Sequence, residues 1–330
     1  MGYLGDVNVV VTGAAGYVGA HVCSELLLNG HKVIGIDDLS TGRLSFVHKE
    51  IEFHEGSVQD ASFVKNVLFS AKKTSDLGVI HCAGLKFAGE SVKNPLSYYD
   101  SNTNGVLNLL SQMRELEISN FVFSSSCSIY GEISSGIPVA ESHPKSPLSP
   151  YGKSKMFAEE IILDEVRTGQ LNAVSLRYFN VAGNSKISAF DMSPFNLLPN
   201  LFRAVSNRTP FAIFGNSYLT EDGTCIRDYV DVETLARAHV QVLELMTSGC
   251  KLSSAYNIGS GKGSSVLEIV KIVQKYIYPD LEVQFTEGRS GDPGSILAHT
   301  GLAEKELGWN HDISIEHLVL QSWEAWVRNS

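Results

Sequence analysis

A glycine-rich turn near the start of the chain constrains the fold more than any other segment. The β-branched run Asn8–Thr12 leads directly into residues 13–19, where glycines recur as Gly-x-x-Gly-x-x-Gly. Residues 20–28 then show a helical apolar pattern that closes at Asn29 and Gly30. A strand, a glycine loop and a helix in this order are typical of a dinucleotide-binding unit, in which a pyrophosphate approaches the free N–H groups at the helix start. The pattern predicts an α/β protein with a Rossmann-like, doubly wound parallel sheet.

Carboxylates about 20 residues beyond the loop indicate which dinucleotide is bound. A short apolar strand from His31 ends in Asp37 and Asp38. A carboxylate at this place accepts hydrogen bonds from the adenosine ribose and repels a 2′-phosphate, which favours NAD over NADP. Aspartate is also common in exposed turns at strand ends, so the ribose role competes with a purely structural one.

Two later apolar strands, at 79–84 and 121–124, end in small or polar residues. The carboxyl ends of parallel strands meet at the ligand crevice of such a sheet. We therefore expect Lys86 and the serine cluster that begins at Ser124 and ends at Ser126 to border the cofactor.

Charge and cysteine usage exclude several classes of function. The formal net charge of −10 argues against a general surface for nucleic acid or anionic membranes. The five cysteines are scattered and include no Cys-x-x-Cys, which favours a reducing compartment over a disulfide framework or a metal site. No stretch approaches the roughly 18 apolar residues of a membrane span, and the chain opens almost directly into its first strand without a secretory signal pattern. We therefore expect a cytoplasmic protein with no nucleic-acid, membrane or metal partner.

The segment Ser-Pro-Tyr-Gly-Lys-Ser-Lys at 149–155 carries a candidate catalytic pair. Ser149 suits an N-cap and Pro150 the first helical position, so Tyr151 lies in the first turn with Lys155 on the same face. A hydroxyl whose carbon gives hydride to a nicotinamide must also lose its proton, and Tyr151 is the candidate base. Ionising a free phenol at neutral pH costs about 4 kcal/mol. We expect the Lys155 ammonium and the helix dipole to lower this cost.

Gly152 lies inside the same predicted helix, where a glycine costs up to about 1 kcal/mol relative to alanine. We interpret it as room for the close approach of a flat ligand. Taken alone, Tyr-x-x-x-Lys also fits an ordinary amphipathic helix with an exposed lysine. The upstream glycine loop and serine cluster favour the catalytic interpretation.

Further motifs are more specific. They are His-Cys-Ala-Gly-Leu-Lys at 81–86, Asn-Pro-Leu-Ser-Tyr-Tyr-Asp at 94–100, Arg-Tyr-Phe-Asn at 177–180, Thr-Glu-Asp-Gly-Thr at 220–224 and Arg-Asp-Tyr at 227–229. With them the chain resembles, nearly end to end, the extended short-chain dehydrogenase/reductases and, within these, the UDP-galactose 4-epimerase family. The resemblance implies a reversible interconversion of UDP-galactose and UDP-glucose, in which tightly held NAD takes hydride from C4, a 4-keto sugar turns over, and the hydride returns to its other face.

The resemblance also implies individual roles. Tyr151 would be the base, Lys155 would tune it and hold the nicotinamide ribose, and Ser126 would hydrogen-bond the sugar O4. The implied cofactor contacts are Gly13, Gly16, Tyr17, Val18, Gly19, Asp37, Asp38, Lys86, Ser124, Tyr151, Lys155 and Tyr178. The implied substrate contacts are Ser126, Tyr151, Asn180, Asn196, Leu197, Ala212, Phe214, Arg227, Arg289 and Asp292.

A two-part architecture is also expected. We predict an NAD-binding Rossmann domain at 1–180 and a smaller α/β UDP-sugar-binding domain at 181–330, with residues 227–245 packing back on the first. The family implies a homodimer formed through helices, one of which follows Tyr151. Ser57 stands where the family usually has an adenine-binding aspartate.

Three other functions compete with this interpretation. Dehydratases and decarboxylases on this scaffold resemble one another in placing Asp or Glu just after the serine, but Cys127 and Ser128 occupy those places here. A non-catalytic NAD sensor would be expected to lose Tyr151 or Lys155, and both are present. Epimerases of N-acetylated UDP-hexosamines stay open, because Ile296 is intermediate between the tyrosine associated with excluding such sugars and the small residue associated with admitting them.

Overall fold

The computed structural model, which describes residues 7–72, 77–133, 136–184, 187–288 and 293–329, is organised around a parallel β-sheet. The strands are β1 (Asn8–Thr12), β2 (Lys32–Asp37), β3 (Glu52–Glu55), β4 (Leu77–His81), β5 (Asn120–Ser126), β6 (Asn172–Tyr178), β7 (Asn180–Ala182), β8 (Phe211–Phe214), β9 (Ile226–Asp231), β10 (Ala255–Ile258), β11 (Gly263–Ser265), β12 (Val283–Thr286) and β13 (Ser295–Ile296). The helices are α1 (Tyr17–Leu28), α2 (Ala61–Lys72), α3 (Ala88–Lys93), α4 (Pro95–Tyr98), α5 (Gly105–Glu115), α6 (Pro150–Arg167), α7 (Leu197–Asn207), α8 (Val232–Thr247), α9 (Val266–Tyr276), α10 (Gly301–Leu307) and α11 (Ile315–Asn329). A π-helical segment, Tyr99–Asn104, joins α4 to α5.

The central sheet has seven strands in the order β10-β6-β5-β4-β1-β2-β3, and each neighbouring pair is parallel. The strand order reverses at β1, which lies between β2 and β4, and such a switch point opens a crevice at the carboxyl ends of the strands. β1 is buried along its whole length, as expected for a strand covered on both faces. The predicted Rossmann-like, doubly wound parallel sheet is therefore confirmed.

Two apolar clusters cover the faces of this sheet. On one face, Val22 and Leu26 of α1 share a cluster with Leu235 and Leu243 of α8. On the other, α2, α5 and α6 pack around residues such as Leu109. Each fully buried aliphatic side chain of this size contributes about 1.5–3 kcal/mol, so both faces anchor the strands whose ends form the crevice.

The carboxyl-terminal part of the chain forms two smaller sheets. β9 pairs with β7, β11 and β13, and β8 pairs with β12. A third cluster joins α7, α9 and α11 through residues such as Phe202, Val270 and Trp326. The chain returns to the central sheet through α8 and β10, and the domain boundary at residue 180 stays a prediction. Within the described ranges, no helix is long and apolar enough to cross a bilayer.

Candidate active site

A cavity of about 510 Å³ lies at the carboxyl ends of the central strands. Eleven of the twelve predicted cofactor contacts line it: Gly13, Gly16, Tyr17, Val18, Gly19, Asp37, Asp38, Lys86, Tyr151, Lys155 and Tyr178. The twelfth, Ser124, is buried beneath its wall. The fold thus brings to one place residues that are more than 160 positions apart in the sequence.

The glycine loop has no room for side chains at two positions. Gly13 has a φ of +73°, and a Cβ atom there would lie 2.6 Å from the backbone nitrogen of Ala83. On Gly19, a Cβ atom would lie 2.0 Å from the carbonyl oxygen of Gly13. The start of α1 is therefore pressed against the end of β1. Gly16, which precedes α1, has no side chain to cap it, so the first N–H groups of the helix face the cavity as an anion site.

Asp37 is held in a fixed orientation at the end of β2. Its Oδ2 accepts from the Ala15 N–H at 3.0 Å and its Oδ1 from the Leu39 N–H at 2.9 Å. Burial raises the pKa of this carboxyl, and the two hydrogen bonds oppose the rise. Asp38 is exposed, and its Oδ1 accepts from the Ser40 N–H at 3.0 Å. Asp37 is thus the buried acid on the cavity wall.

Tyr151 lies in the first turn of α6, as predicted. Ser149 caps this helix, since its hydroxyl accepts from the Gly152 N–H at 3.1 Å, and Pro150 is the first helical residue. The phenol is buried, and burial raises the pKa of Tyr151 to about 12 while a hydrogen bond from Ser126 opposes the rise. Tyr151 and Ser126, which are 25 positions apart in sequence, therefore lie next to each other, and the Ser126 hydroxyl donates to Oγ of Ser128 at 3.1 Å.

Lys155 is buried one turn further along α6. Its Nζ donates to the carbonyl oxygen of Ser124 at 2.8 Å and lies 4.7 Å from the centre of the Phe123 ring. Burial lowers the pKa of Lys155 to about 8, and Cys82 and Glu159 oppose this shift. Burial dominates the pKa of the phenol and the ammonium is held at the Ser124 carbonyl, so the expectation that Lys155 helps to favour the phenolate of Tyr151 stays a prediction.

Gly152 also differs from its prediction. A Cβ atom there would lie 2.4 Å from the carbonyl oxygen of Ser128 and 2.9 Å from Cβ of Pro147. The glycine is required by the backbone that follows β5, and the proposed flat ligand is not its neighbour. The consequence is that α6 packs directly on the turn that presents Ser126.

Comparison with known proteins agrees with this geometry. Residues 9–259 match the model of the NAD dependent epimerase/dehydratase family. The chain belongs to this family.

Relatives in this family match the chain along nearly its whole length. The UDP-glucose 4-epimerase of Schizosaccharomyces pombe is 38% identical, over 96% of this chain and 93% of its own. The UDP-glucose 4-epimerase of Lacticaseibacillus casei is 37% identical, over 98% and 97%. The crystal structure of the UDP-glucose 4-epimerase from Brucella ovis in complex with NAD is 33% identical and superposes with a TM-score of 0.89, covering 96% of this chain and 97% of that one. The family resemblance inferred from the sequence is confirmed.

Most predicted substrate contacts of this epimerase-family protein lie outside the cavity wall. Asn180 begins β7, Asn196 and Leu197 begin α7, Ala212 and Phe214 lie on β8, and Arg227 lies on β9. Arg227 donates to the carbonyl oxygens of Ile226 and Pro293, each at 2.8 Å. Arg289 and Asp292 lie outside the described residues. The other six of these predicted contacts are thus distributed over β7, β8, β9 and the start of α7.

Ile296 lies close to the catalytic turn. It pairs in register with Arg227 and packs in a buried cluster with Cys127 and Phe179. Burial raises the pKa of the Cys127 thiol to about 12, so this residue is a neutral packing group.

One side of the cavity is closed by the segment that precedes α7. Residues 190–195 line it, and they reach the opposite wall through two contacts. Lys86 Nζ lies 3.5 Å from Asp191 Oδ1, and the rings of Phe87 and Phe195 are 4.7 Å apart. Phe87 precedes α3 and Phe195 precedes α7, and nothing in either local sequence pattern pairs the two rings.

Ser57 also lines the cavity, where the family usually has an aspartate. Its hydroxyl is 3.1 Å from Oε1 of Gln59, which lines the same wall. Gln59 is thus a second polar side chain at this place that sequence reasoning did not consider.

Proposed function

We propose that the protein is an isomerase that interconverts UDP-galactose and UDP-glucose at C4. The observation that carries the proposal is that one cavity is lined by the glycine loop, Asp37 and Tyr151, with Ser126 next to Tyr151. A nucleotide cradle and a buried acid–base pair in one cavity suit proton and hydride exchange at one carbon. Near full-length similarity to UDP-glucose 4-epimerases supports the substrate.

The residues of the cavity fit NAD. The crowded glycine loop would admit a pyrophosphate to the start of α1, and buried Asp37 would accept from the adenosine ribose and repel a 2′-phosphate. Lys155 and Tyr178 line the part of the cavity next to Tyr151. Bound NAD supplies the hydride acceptor at C4 and, while oxidised, a positively charged ring that favours the phenolate.

The chain's own part in the reaction is to move one proton. Tyr151 removes the O4 proton as C4 is oxidised and returns it as C4 is reduced. The Ser126 hydroxyl stabilises the ionised phenol and then donates to O4. Cys127 and Ser128 beside it offer no carboxylate, so water elimination has no acid–base group here.

The substrate's nucleotide is assigned to the smaller sheets. Asn180, Asn196, Leu197, Ala212, Phe214 and Arg227, with Arg289 and Asp292, would hold UDP. A guanidinium matches pyrophosphate oxygens in a bidentate way, which suits Arg227 in a chain whose net charge is −10. Firm contacts to UDP and few to the sugar would let the 4-keto ring present both faces to the same hydride.

A homodimer and a cytoplasmic location complete the proposal. Three large apolar residues are exposed on neighbouring helices: Leu96 on α4 (80%), Leu107 on α5 (49%) and Phe157 on α6 (42%). Tyr99 lies 6.0 Å from Phe157, ring to ring, and connects these helices. Such a patch suits a self-complementary interface with a second copy of the chain. The five cysteines, all of which lie in the described ranges, are thiols in the structure, as suits a reducing compartment.

The test is conversion of UDP-galactose by the purified protein without added NAD. The reaction is stopped, and UDP-glucose is then measured with UDP-glucose dehydrogenase. Tyr151→Phe should lose at least about a hundredfold in kcat, while Tyr276→Phe, on the exposed side of α9, should retain full activity. Equal turnover by Tyr151→Phe and wild type would refute the assigned base. No conversion by wild type, even with NAD supplied, would refute the proposed function.

N-acetylated UDP-hexosamines are the second candidate substrates. Ile296 is buried against Cys127, next to Ser126, so its size can affect the room for the sugar. We expect Ile296→Tyr to lower kcat/KM for UDP-N-acetylglucosamine more than for UDP-glucose. Equal changes in kcat/KM for the two UDP-sugars would show that Ile296 does not determine the choice between them.

A further inference from the structure

A buried histidine lies beneath the cavity wall and contacts β5, the strand that ends at Ser126. His239 on α8 is fully buried, and its Nε2 is 2.8 Å from the hydroxyl of Ser124 on β5. The same serine supplies the carbonyl oxygen that holds Lys155 Nζ at 2.8 Å. Its hydroxyl also lies 3.2 Å from Sγ of Cys82, which lines the cavity. His239 therefore reaches two cavity residues through Ser124 without lining the cavity itself.

The hydrogen-bond directions in this cluster follow from one backbone contact. Nδ1 of His239 is 2.9 Å from the carbonyl oxygen of Leu235, which can only accept, so Nδ1 carries the hydrogen. Burial lowers the pKa of His239 to about 4, so the ring is neutral at pH 7. Nε2 then has a lone pair, and the Ser124 hydroxyl must donate to it. With its one hydrogen directed to Nε2, the Ser124 hydroxyl is not free to donate to Sγ of Cys82, 3.2 Å away.

We infer that His239 is a positioning residue for the proposed reaction, because its hydrogen bond with Ser124 fixes the direction of the Ser124 hydroxyl and the place of the carbonyl that holds Lys155. The inference rests on the proposed function for its kinetic consequence, but the tautomer it requires is a property of the protein alone. The rings of Tyr178 and His239 are 6.2 Å apart, so few atoms separate this histidine from the cavity. An error of about 1 Å at a reacting group can cost up to about a hundredfold in rate.

The first experiment is independent of activity. In protein labelled with ¹⁵N-histidine, long-range ¹H–¹⁵N spectra report which ring nitrogen carries the proton, with His239→Gln used to assign the signal. We expect a neutral Nδ1–H ring that stays neutral down to pH 5.5. An Nε2–H tautomer, or protonation near pH 6.5, would overturn the inference even if the protein proved to have a different substrate.

The second experiment uses kinetics of the UDP-galactose reaction. His239→Asn keeps a donor for Leu235 but removes the acceptor for Ser124, whereas His239→Gln places an oxygen acceptor where Nε2 lies. We expect His239→Asn to lower kcat about tenfold with KM changed less than twofold, and His239→Gln to restore most of kcat. Ser124→Ala should cause the same loss, and the double variant Ser124→Ala/His239→Asn should lose no more than either single one.

A purely structural role predicts different results. The unfolding midpoint would fall in all variants without the kcat loss, or His239→Gln would lose as much kcat as His239→Asn. Multiplicative losses in the double variant would also overturn the inference. If His239→Asn fails to fold, Ser124→Ala tests the inference instead, because this variant keeps the backbone carbonyl that holds Lys155 and loses only the hydroxyl. An unchanged kcat in Ser124→Ala would refute the role of the hydroxyl.

Discussion

The buried ion pair between Glu159 and Arg177 yields a prediction whose size the structure sets. Glu159 lies on α6, two turns after Tyr151, and is buried. Arg177 Nε donates to its Oε1 at 2.9 Å and Nη2 to its Oε2 at 2.7 Å, and the Ser125 hydroxyl donates to Oε1 at 2.6 Å. Lys145 adds a second cation, with its Nζ 3.0 Å from Oε2 of Glu159. Glu159→Gln would leave a buried guanidinium without its carboxylate.

Removing one partner of a buried pair costs about 3–5 kcal/mol. The unfolding entropy of 330 residues is about 0.7 kcal/mol per degree at roughly 2.1 cal/mol/K per residue. We therefore expect the unfolding midpoint of Glu159→Gln to fall by about 4–7 °C in thermal scans followed by circular dichroism. The matched control is Asp164→Asn on the same helix, whose pair with Arg167 is exposed and should change stability by less than about 1 kcal/mol.

The pH dependence gives the same prediction an independent check. Burial alone would raise the pKa of Glu159, but the Arg177 hydrogen bonds and charge outweigh it, and the net pKa is lowered. A lowered folded-state pKa gives stability that is present above the unfolded value, about 4.3, and is lost as pH falls through the folded value. The difference in unfolding free energy between wild type and Glu159→Gln should therefore become smaller below about pH 4.3. Two results would refute this account of the ion pair. One is a fall in the unfolding midpoint of Glu159→Gln no larger than that of Asp164→Asn, and the other is a stability difference from wild type that does not change with pH.

Three further predictions concern the cavity. Gly152→Ala should destabilise the fold by about 1–3 kcal/mol, because its Cβ would lie 2.4 Å from the carbonyl oxygen of Ser128. This cost exceeds the gain of up to about 1 kcal/mol in helix propensity. An unfolding midpoint above that of the wild type would contradict this prediction. The kcat of the wild type should fall as pH rises through about 8, where Lys155 loses its proton. A kcat that stays constant up to pH 9.5 would contradict a catalytic role for protonated Lys155. Asp37→Asn should weaken NAD binding and reduce its preference over NADP by about tenfold in titration calorimetry of cofactor-depleted protein, and an unchanged ratio would remove Asp37 from the ribose site.

Local sequence patterns were sufficient to predict the first strand, the glycine loop and the helix that follows it. The valines of β1, the glycines that follow and the apolar face of α1 act within about 30 residues, so periodicity and turn chemistry predict them. The start of α6 was predicted for the same reason, since Ser149 and Pro150 determine it locally.

Contacts between distant segments explain what the sequence could not supply. Gly152 faces a backbone carbonyl of another loop, Lys155 is held by Ser124, and His239 reaches the catalytic strand from α8. Each depends on tertiary packing across the sheet, for which one sequence has no periodic signal. The raised pKa of Tyr151 has the same origin, because burial depends on the whole fold.

The central claim is that hydride leaves C4 and returns to C4 within one cavity. The direct test is conversion of UDP-galactose deuterated at C4, in ordinary water and without added NAD, with the UDP-glucose product analysed by mass spectrometry and NMR. The account predicts that the product keeps deuterium at C4, because a hydride held on the cofactor does not exchange with water while the O4 proton removed by Tyr151 does. Product that carries protium at C4 would contradict it, since that outcome requires loss of the C4 hydrogen to solvent.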